Sequence, residues 1–156
     1  MSATGFGVTP IETIKTMSGL AFLRGIAEGR FPRPPISGVL DFDLVEVEKG
    51  FVVFLGRPSA DHFNPMGGVH GGYAATLLDS CMACAVHSAV DPGEAQTTLE
   101  IKVNMVRPIT GQTGEVRAEG RLLSRGRRVG TAEGKLLDKN GKLLAHGSTT
   151  CMIFPL

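Results

Sequence analysis

The sequence predicts an α+β domain in which one strongly curved antiparallel sheet wraps a single long central helix, with an extra helix at the N-terminus. Three observations carry that expectation. Residues 72–89 read as a helix that is apolar nearly all round, and such a helix must be covered on most of its sides. Segments of alternating apolar and polar residues flank it, two before and four after, each closed by turn formers. The length of 156 residues, with 42% hydrophobic and 20% charged side chains, suits one compact domain whose core needs neither disulfide nor metal for stability. Within it, 1–34 is read as an N-terminal helix and proline-rich connector, and 35–156 as the main body.

The elements follow in order. Ile11, Ile14, Met17, Leu20, Leu23 and Ile26 recur at three-residue steps and predict one helix over 10–29, stopped by Gly29. Arg30-Phe31-Pro32-Arg33-Pro34-Pro35 is an extended connector, because proline fixes its own φ and restrains its predecessor. Leu40, Phe42 and Leu44 alternate with Asp41 and Asp43, and Val52-Val53-Phe54-Leu55 follows the Lys49-Gly50 turn, so 39–56 reads as a hairpin. A loop from Ser59 to Gly72 leads into the long helix. Leu99, Ile101, Val103 and Met105 then alternate with Thr98, Glu100, Lys102 and Asn104 up to Pro108. Strands over 113–124, 128–138 and 142–154 are separated by Ser124-Arg125-Gly126 and by Asn140-Gly141, a strong hairpin signal. The last four strands are expected to form a meander.

Charge and composition exclude several classes. Sixteen basic against fifteen acidic residues give a net charge of +1, without the cationic excess that phosphate contacts demand of a nucleic-acid binder. The charge is uneven, however. Arg121, Arg125, Arg127, Arg128, Lys135, Lys139 and Lys142 face only Glu133 and Asp138 between 121 and 142, which leaves room for a compact anionic partner. The apolar stretch Ala74–Val90 is interrupted by polar residues and falls short of the ~20 residues that span a bilayer, so no membrane association is expected. Three cysteines and no basic-then-apolar leader fit a reducing cytoplasm. Cys81 and Cys84 have redox spacing but lie inside the predicted helix, where they read as small buried thiols. No cluster has metal-ligand spacing.

The segment His62-Phe63-Asn64-Pro65-Met66-Gly67-Gly68-Val69-His70-Gly71-Gly72, running into Tyr73 and on to Leu77-Leu78-Asp79, carries the chemistry. Glycines at a loop-to-helix junction leave the first helical N–H groups free to meet negative charge, and a developing oxyanion suits that place. Tight packing alone also accounts for Gly71 and Gly72. Asp79 lies two turns inside the helix among Leu77, Leu78, Met82 and Ala83, where an unpaired carboxylate is costly; it is either a tuned base or nucleophile or a structurally paired side chain. His70 either polarises a carbonyl or hydrogen-bonds locally. No G-x-S-x-G and no dinucleotide fingerprint accompany the glycines.

Asn64, Gly71 within His70-Gly71-Gly72, Asp79 within Leu77-Leu78-Asp79, and Thr98 at the start of the strand ending at Arg107-Pro108 together resemble the hotdog-fold acyl-CoA thioesterases of the PaaI-like branch. The resemblance covers residues 35–154. It implies that the Asn64 loop places thioester and water, that Gly71 N–H polarises the thioester carbonyl, that Asp79 is general base or nucleophile, and that Thr98 or its neighbour Thr97 assists. The glutamine that some members carry at the asparagine position is absent. His70 and Gly72 join the expected substrate contacts, and Arg125, Arg127 and Arg128 are the expected partners of the coenzyme A phosphates. No cofactor is implied, since coenzyme A enters with the substrate.

Two other functions compete. His62-Phe63 also resembles the hotdog dehydratases of fatty-acid synthesis, in which His62 would be the base acting on a 3-hydroxyacyl thioester. Hotdog domains also serve as acyl-CoA-binding sensors without turnover. For the thioesterase, Gly71 and Asp79 are eight residues and ~12 Å apart along one helix, yet both must approach one carbon. The site is therefore expected to be shared by two subunits with antiparallel central helices, a homodimer that the resemblance pairs again into a homotetramer.

Overall fold

The computed structural model describes residues 5–156. Four helices, α1 (Ile11–Ile14), α2 (Gly19–Ala27), α3 (Pro35–Leu40) and α4 (Gly71–His87), accompany six strands, β1 (Phe42–Glu48), β2 (Phe51–Gly56), β3 (Glu94–Met105), β4 (Val116–Arg125), β5 (Val129–Asp138) and β6 (Leu143–Pro155). All strand pairs are antiparallel in one sheet of order β1-β2-β4-β5-β6-β3. The sheet wraps α4, the arrangement its sequence demands. Tyr73, Ala74, Leu77, Leu78, Cys81, Met82, Ala83, Ala85 and Val86 are buried, and they meet Val52, Phe54, Val116, Ala118, Ala132, Leu136 and Cys151 of the strands in one core.

Close approach of helix and sheet depends on small residues at the contact. A Cβ placed on Gly120 of β4 would stand 2.1 Å from the Cys81 carbonyl oxygen, and one on Gly134 of β5 would stand 2.8 Å from Met82 Cγ. The pleat brings both glycines to the concave face, so the helix backbone lies almost directly on β4.

Four expectations are corrected. The predicted helix over 10–29 is broken into α1 and α2 at Thr16–Ser18: Ser18 caps α2 by accepting from Ala21 N–H, and Gly19 donates to the Val90 carbonyl. Gly19 presses so closely on the end of α4 that a Cβ would fall 1.7 Å from the His87 oxygen, a docking that a continuous helix would displace. The predicted hairpin begins at Phe42 rather than 39, because Pro35 starts the short helix α3, which ends at Asp41 in the left-handed region with φ 47°. Strand β3 begins at Glu94, four residues before Thr98. Finally, the last four strands are not a meander. β4, β5 and β6 follow one another, but β3 pairs with β6 at the far edge, while β4 pairs with β2. The segment after Pro108 therefore carries the chain across the domain.

Residues 5–9 and the connector hold each other: Gly7 N–H donates to the Arg33 carbonyl at 2.9 Å, and the Arg33 guanidinium lies over the Phe6 ring. Arg33 and Arg57 both pair with Asp43 of β1. The first four residues of the 1–34 span lie outside the described residues. Among the described residues no helix is long and apolar enough to cross a membrane.

Because Gly120 faces helix backbone, which cannot rotate away, Gly120→Ala is expected to lower the unfolding free energy by about 1–3 kcal/mol. Urea denaturation followed by circular dichroism measures it; a change within 0.5 kcal/mol of zero, as is usual for surface substitutions, would mean that the helix is not seated on β4 as described.

Candidate active site

The site is built at two places on α4. At its N-terminus, His70 is the cap: its Nδ1 accepts from Gly72 N–H at 2.8 Å. That commits Gly72. No group among the described residues accepts from Gly71 N–H, which faces outward at the positive end of the helix, with the methyl of Met105 3.3 Å from where a Cβ would be. The preceding loop is shaped by Asn64, whose Oδ1 accepts from Met66 N–H at 2.9 Å and Gly68 N–H at 3.3 Å. Its backbone N–H donates to the Gly68 carbonyl at 2.7 Å. The Asn64 oxygen thus sets the loop that delivers Gly71.

Two turns further on, Asp79 projects from α4 toward β3, half-buried. Thr98 Oγ1 donates to Asp79 Oδ1 at 2.9 Å, and Oδ2 has no partner among the described residues. A β-bulge at Leu99 follows directly, where the β3–β6 register shifts between Thr98 and Glu100. Bulges re-aim side chains in this way beside functional sites. The pleat sends Thr97 to the opposite face, where it is exposed. Of the two threonines left open by the sequence, Thr98 is the one that reaches the carboxylate.

The arginines divide. Arg125 is held by Glu94, with Asp91 at 3.9 Å, and the Glu94 carboxyl is kept below its usual range first by the Asp91 backbone N–H and then by Arg125. Arg127 and Arg128 make no ion pair among the described residues and border a surface cavity of about 380 Å³ with Glu94 and Phe154. The Arg128 carbonyl accepts from Ile153 N–H, and Ile153 lies opposite Gln96, two residues before Thr98. The two free arginines thus stand at the same end of the sheet as the Asp79–Thr98 pair. Glu94, the clamp on Arg125, lies in the part of β3 that precedes the alternating pattern beginning at Thr98, so the sequence pattern does not point to it.

His62 is buried and fully used. Ser59 N–H donates to its Nδ1 at 3.0 Å, its Nε2 lies 3.3 Å from the Val39 carbonyl, and its ring stacks on Tyr73 with centroids 4.8 Å apart. Both nitrogens face backbone groups, one in the loop and one on α3. Cys81 is buried and Cys84 partly buried; burial pushes both thiols up, Cys84 to about 12 with the Asp79 charge adding to it, so neither is a poised thiolate. Among the described residues no group of three or more His, Cys, Asp and Glu side chains could hold a metal ion.

A wrapped-helix sheet with a free N–H at the helix start and a threonine-held carboxylate on the helix defines a hotdog domain equipped for acyl-transfer chemistry, and comparison with known proteins names its class. The signature of the thioesterase superfamily matches residues 66–145, and the chain belongs to that superfamily; acyl-CoA thioester hydrolysis is its general activity. A 1,4-dihydroxy-2-naphthoyl-CoA hydrolase of Listeria monocytogenes is 26% identical over 114 residues, 73% of this chain and 91% of that one. Among solved structures, a phenylacetic acid degradation-related protein of Ralstonia eutropha is 29% identical, covers 84% of this chain and 98% of its own, and superposes with a TM-score of 0.76. The PaaI protein of the Escherichia coli phenylacetic acid degradation operon, 20% identical over 88% of this chain and 96% of that one, shares the fold with a TM-score of 0.75.

With both ring nitrogens committed to backbone, His62→Ala is expected to destabilise the fold by about 1–3 kcal/mol while thioester hydrolysis by the folded protein stays within about tenfold of wild type. Denaturation and steady-state assays on the same preparation test both halves. Abolished turnover in a folded variant would give the ring a chemical role.

Proposed function

We propose that the protein hydrolyses a small acyl-CoA thioester, aromatic or of short to medium chain, to the free acid and coenzyme A. The observation that carries this reading is the Asp79 carboxylate, one oxygen fixed by Thr98 at 2.9 Å and the other uncommitted. The uncommitted oxygen attacks the thioester carbon directly, or takes a proton from water that does. Thr98 orients it. Gly71 N–H donates to the carbonyl oxygen and stabilises the oxyanion that forms, a contribution of ~3 kcal/mol for one such donor. When the tetrahedral adduct collapses, the C–S bond breaks and coenzyme A leaves as its thiolate; on the water route the free acid forms at once and the proton held by Asp79 passes to the thiolate, and on the direct route the acyl–Asp79 anhydride left behind is split by a water, which releases the acid and restores the carboxylate. Arg127 and Arg128, free of ion pairs among the described residues, receive its phosphates; Arg125 is the weaker candidate because Glu94 neutralises it.

The acting Gly71 comes from a second copy of the chain. Along one helix it stands ~12 Å from Asp79, beyond the reach of one carbonyl group. Two α4 helices side by side and antiparallel bring the start of each beside Asp79 of the other. The free side of β3 supports this arrangement: it is an edge strand with β6 as its single neighbour, and Leu99 and Met105 on it are more than half exposed. Such an edge needs cover. We read the assembly as a homodimer, further paired into a tetramer, in the cytoplasm.

The dehydratase alternative needs a free nitrogen on His62, and the ring has both engaged. The sensor alternative needs binding without turnover. One panel separates the three: benzoyl-, phenylacetyl-, hexanoyl- and crotonyl-CoA, followed by free thiol and by enoyl absorbance. Thiol release is expected, and Asp79→Asn is expected to lower kcat at least a hundredfold in a folded protein. Enoyl loss or formation without thiol, binding without either, or near wild-type turnover by Asp79→Asn would contradict the proposal.

A further inference from the structure

Gln96 Oε1 on β3 is buried and has no hydrogen-bond partner among the described residues. Native proteins rarely leave such an atom unpaired. A carboxamide oxygen only accepts, so the position calls for an N–H or O–H donor that arrives with a ligand. There is space in front of it, because Gln96 borders a cavity of about 370 Å³.

The place of Gln96 on β3 says which part of a substrate meets it. Gln96 precedes Thr98 by two residues, in the regular stretch before the bulge, so both side chains stand on one face of the strand, about 7 Å apart. Opposite them on β6 stand Ile153 and Cys151, both buried in the core, so this is the face turned to α4. Glu94 is the next residue of the same face, about 13 Å from Thr98, and it borders the cavity of Arg127 and Arg128. A thioester with its carbon at Asp79 and its phosphates at those arginines therefore lays the arm between them past Gln96.

That arm carries the missing donor. In coenzyme A the sulfur is followed by two methylenes and then by the nitrogen of a secondary amide, about 4 Å away when extended. A hydrogen bond from this N–H to an oxygen covers about 3 Å more. The two lengths together match the spacing from Thr98 to Gln96.

We infer that Gln96 recognises the thiol carrier of the substrate: its Oε1 accepts from the amide N–H nearest the thioester sulfur. The bond holds the sulfur beside Asp79 and favours pantetheine-type carriers over thiols that lack this donor. An ester oxygen in place of the N–H sets acceptor against acceptor and leaves Oε1 buried and unpaired, which is how a site built to hydrogen-bond one group rejects its isostere. The inference rests on the thioesterase reading and adds to it the group that the site reads on the leaving side of the scissile bond.

The test keeps the acyl group fixed, as the member of the panel that turns over fastest, and varies the carrier. N-acetylcysteamine carries the amide N–H two methylenes from sulfur; 2-mercaptoethyl acetate has the same shape with oxygen in place of that N–H. Thiol release by wild type is expected to favour the amide carrier by tenfold or more in kcat/KM, and Gln96→Leu is expected to bring the two carriers within threefold of each other. On the coenzyme A ester, Gln96→Leu is expected to raise KM at least tenfold, with kcat changed less than KM. A general loss of packing would lower both carriers alike and would not remove the preference. Equal wild-type rates on the two carriers, or a preference that survives in folded Gln96→Leu, would overturn the inference and leave the thioesterase reading standing. So would an unchanged KM for the coenzyme A ester in folded Gln96→Leu, whether or not the short carriers are turned over. Release of thiol from no thioester would overturn both.

Discussion

Helix α4 carries buried residues around most of its circumference, from Tyr73 to Val86, and water has to be kept from all of them. A flat sheet covers one side of a helix; covering more requires the sheet to curl, and glycines at Gly120 and Gly134 let it curl onto the helix backbone itself. Even so, six strands do not close the circle. The N-terminal segment covers part of the remainder, through Phe22, Leu23 and Gly19, and the face bearing Asp79 stays half open beside the edge strand β3. Burial of one helix thus decides where the sheet bends, what the N-terminal segment packs on and where Asp79 remains accessible.

The two chemical groups follow from the same helix. Its start supplies, at Gly71, an N–H with no acceptor among the described residues, as helix starts do, while His70 takes up the neighbouring Gly72 N–H. Its middle supplies Asp79, placed where β3 passes, with the bulge at Leu99 turning Thr98 onto the carboxylate. Rise per residue fixes the distance between the two groups at ~12 Å, and no side-chain rotation alters a backbone N–H. This rigid spacing, more than any surface feature, is the reason for reading the working unit as two chains.

Much of this was legible in the sequence, and the failures have local causes. The long helix was expected at 72–89 and runs from Gly71 to His87, because an all-round apolar pattern bounded by glycine and a turn has few other readings. The Lys49-Gly50 and Asn140-Gly141 turns stand as expected, with Gly50 and Gly141 at positive φ. Sheet order was not legible: alternation tells which face a residue takes, not which strand lies beside it, so the place of β3 next to β6 was missed. The break before Gly19 answers to a contact with His87, 68 residues away in sequence, and the pairing of Arg125 with Glu94 to one 31 residues away. At the site, Asp79 and Gly71 stand out by residue type and position and Asn64 through the family resemblance, whereas which of Thr97 and Thr98 faces the carboxylate needs the pleat, and the place of Glu94 needs the true start of β3.

The measurement that bears most directly on the shared site is complementation between two inactive chains. Gly71→Pro removes the N–H and little else, because proline suits the first position of a helix and His70 before it is already extended, at φ −60° and ψ 137°. Asp79→Ala removes the carboxylate. The two proteins, each inactive alone, are unfolded together and refolded as a mixture. Half of the dimers in a statistical mixture are mixed, and each of these holds one site with both groups intact, so activity is predicted to return to roughly a quarter of wild type. No recovery, with mixed dimers demonstrated by mass and both parents folded, would contradict a site divided between two chains.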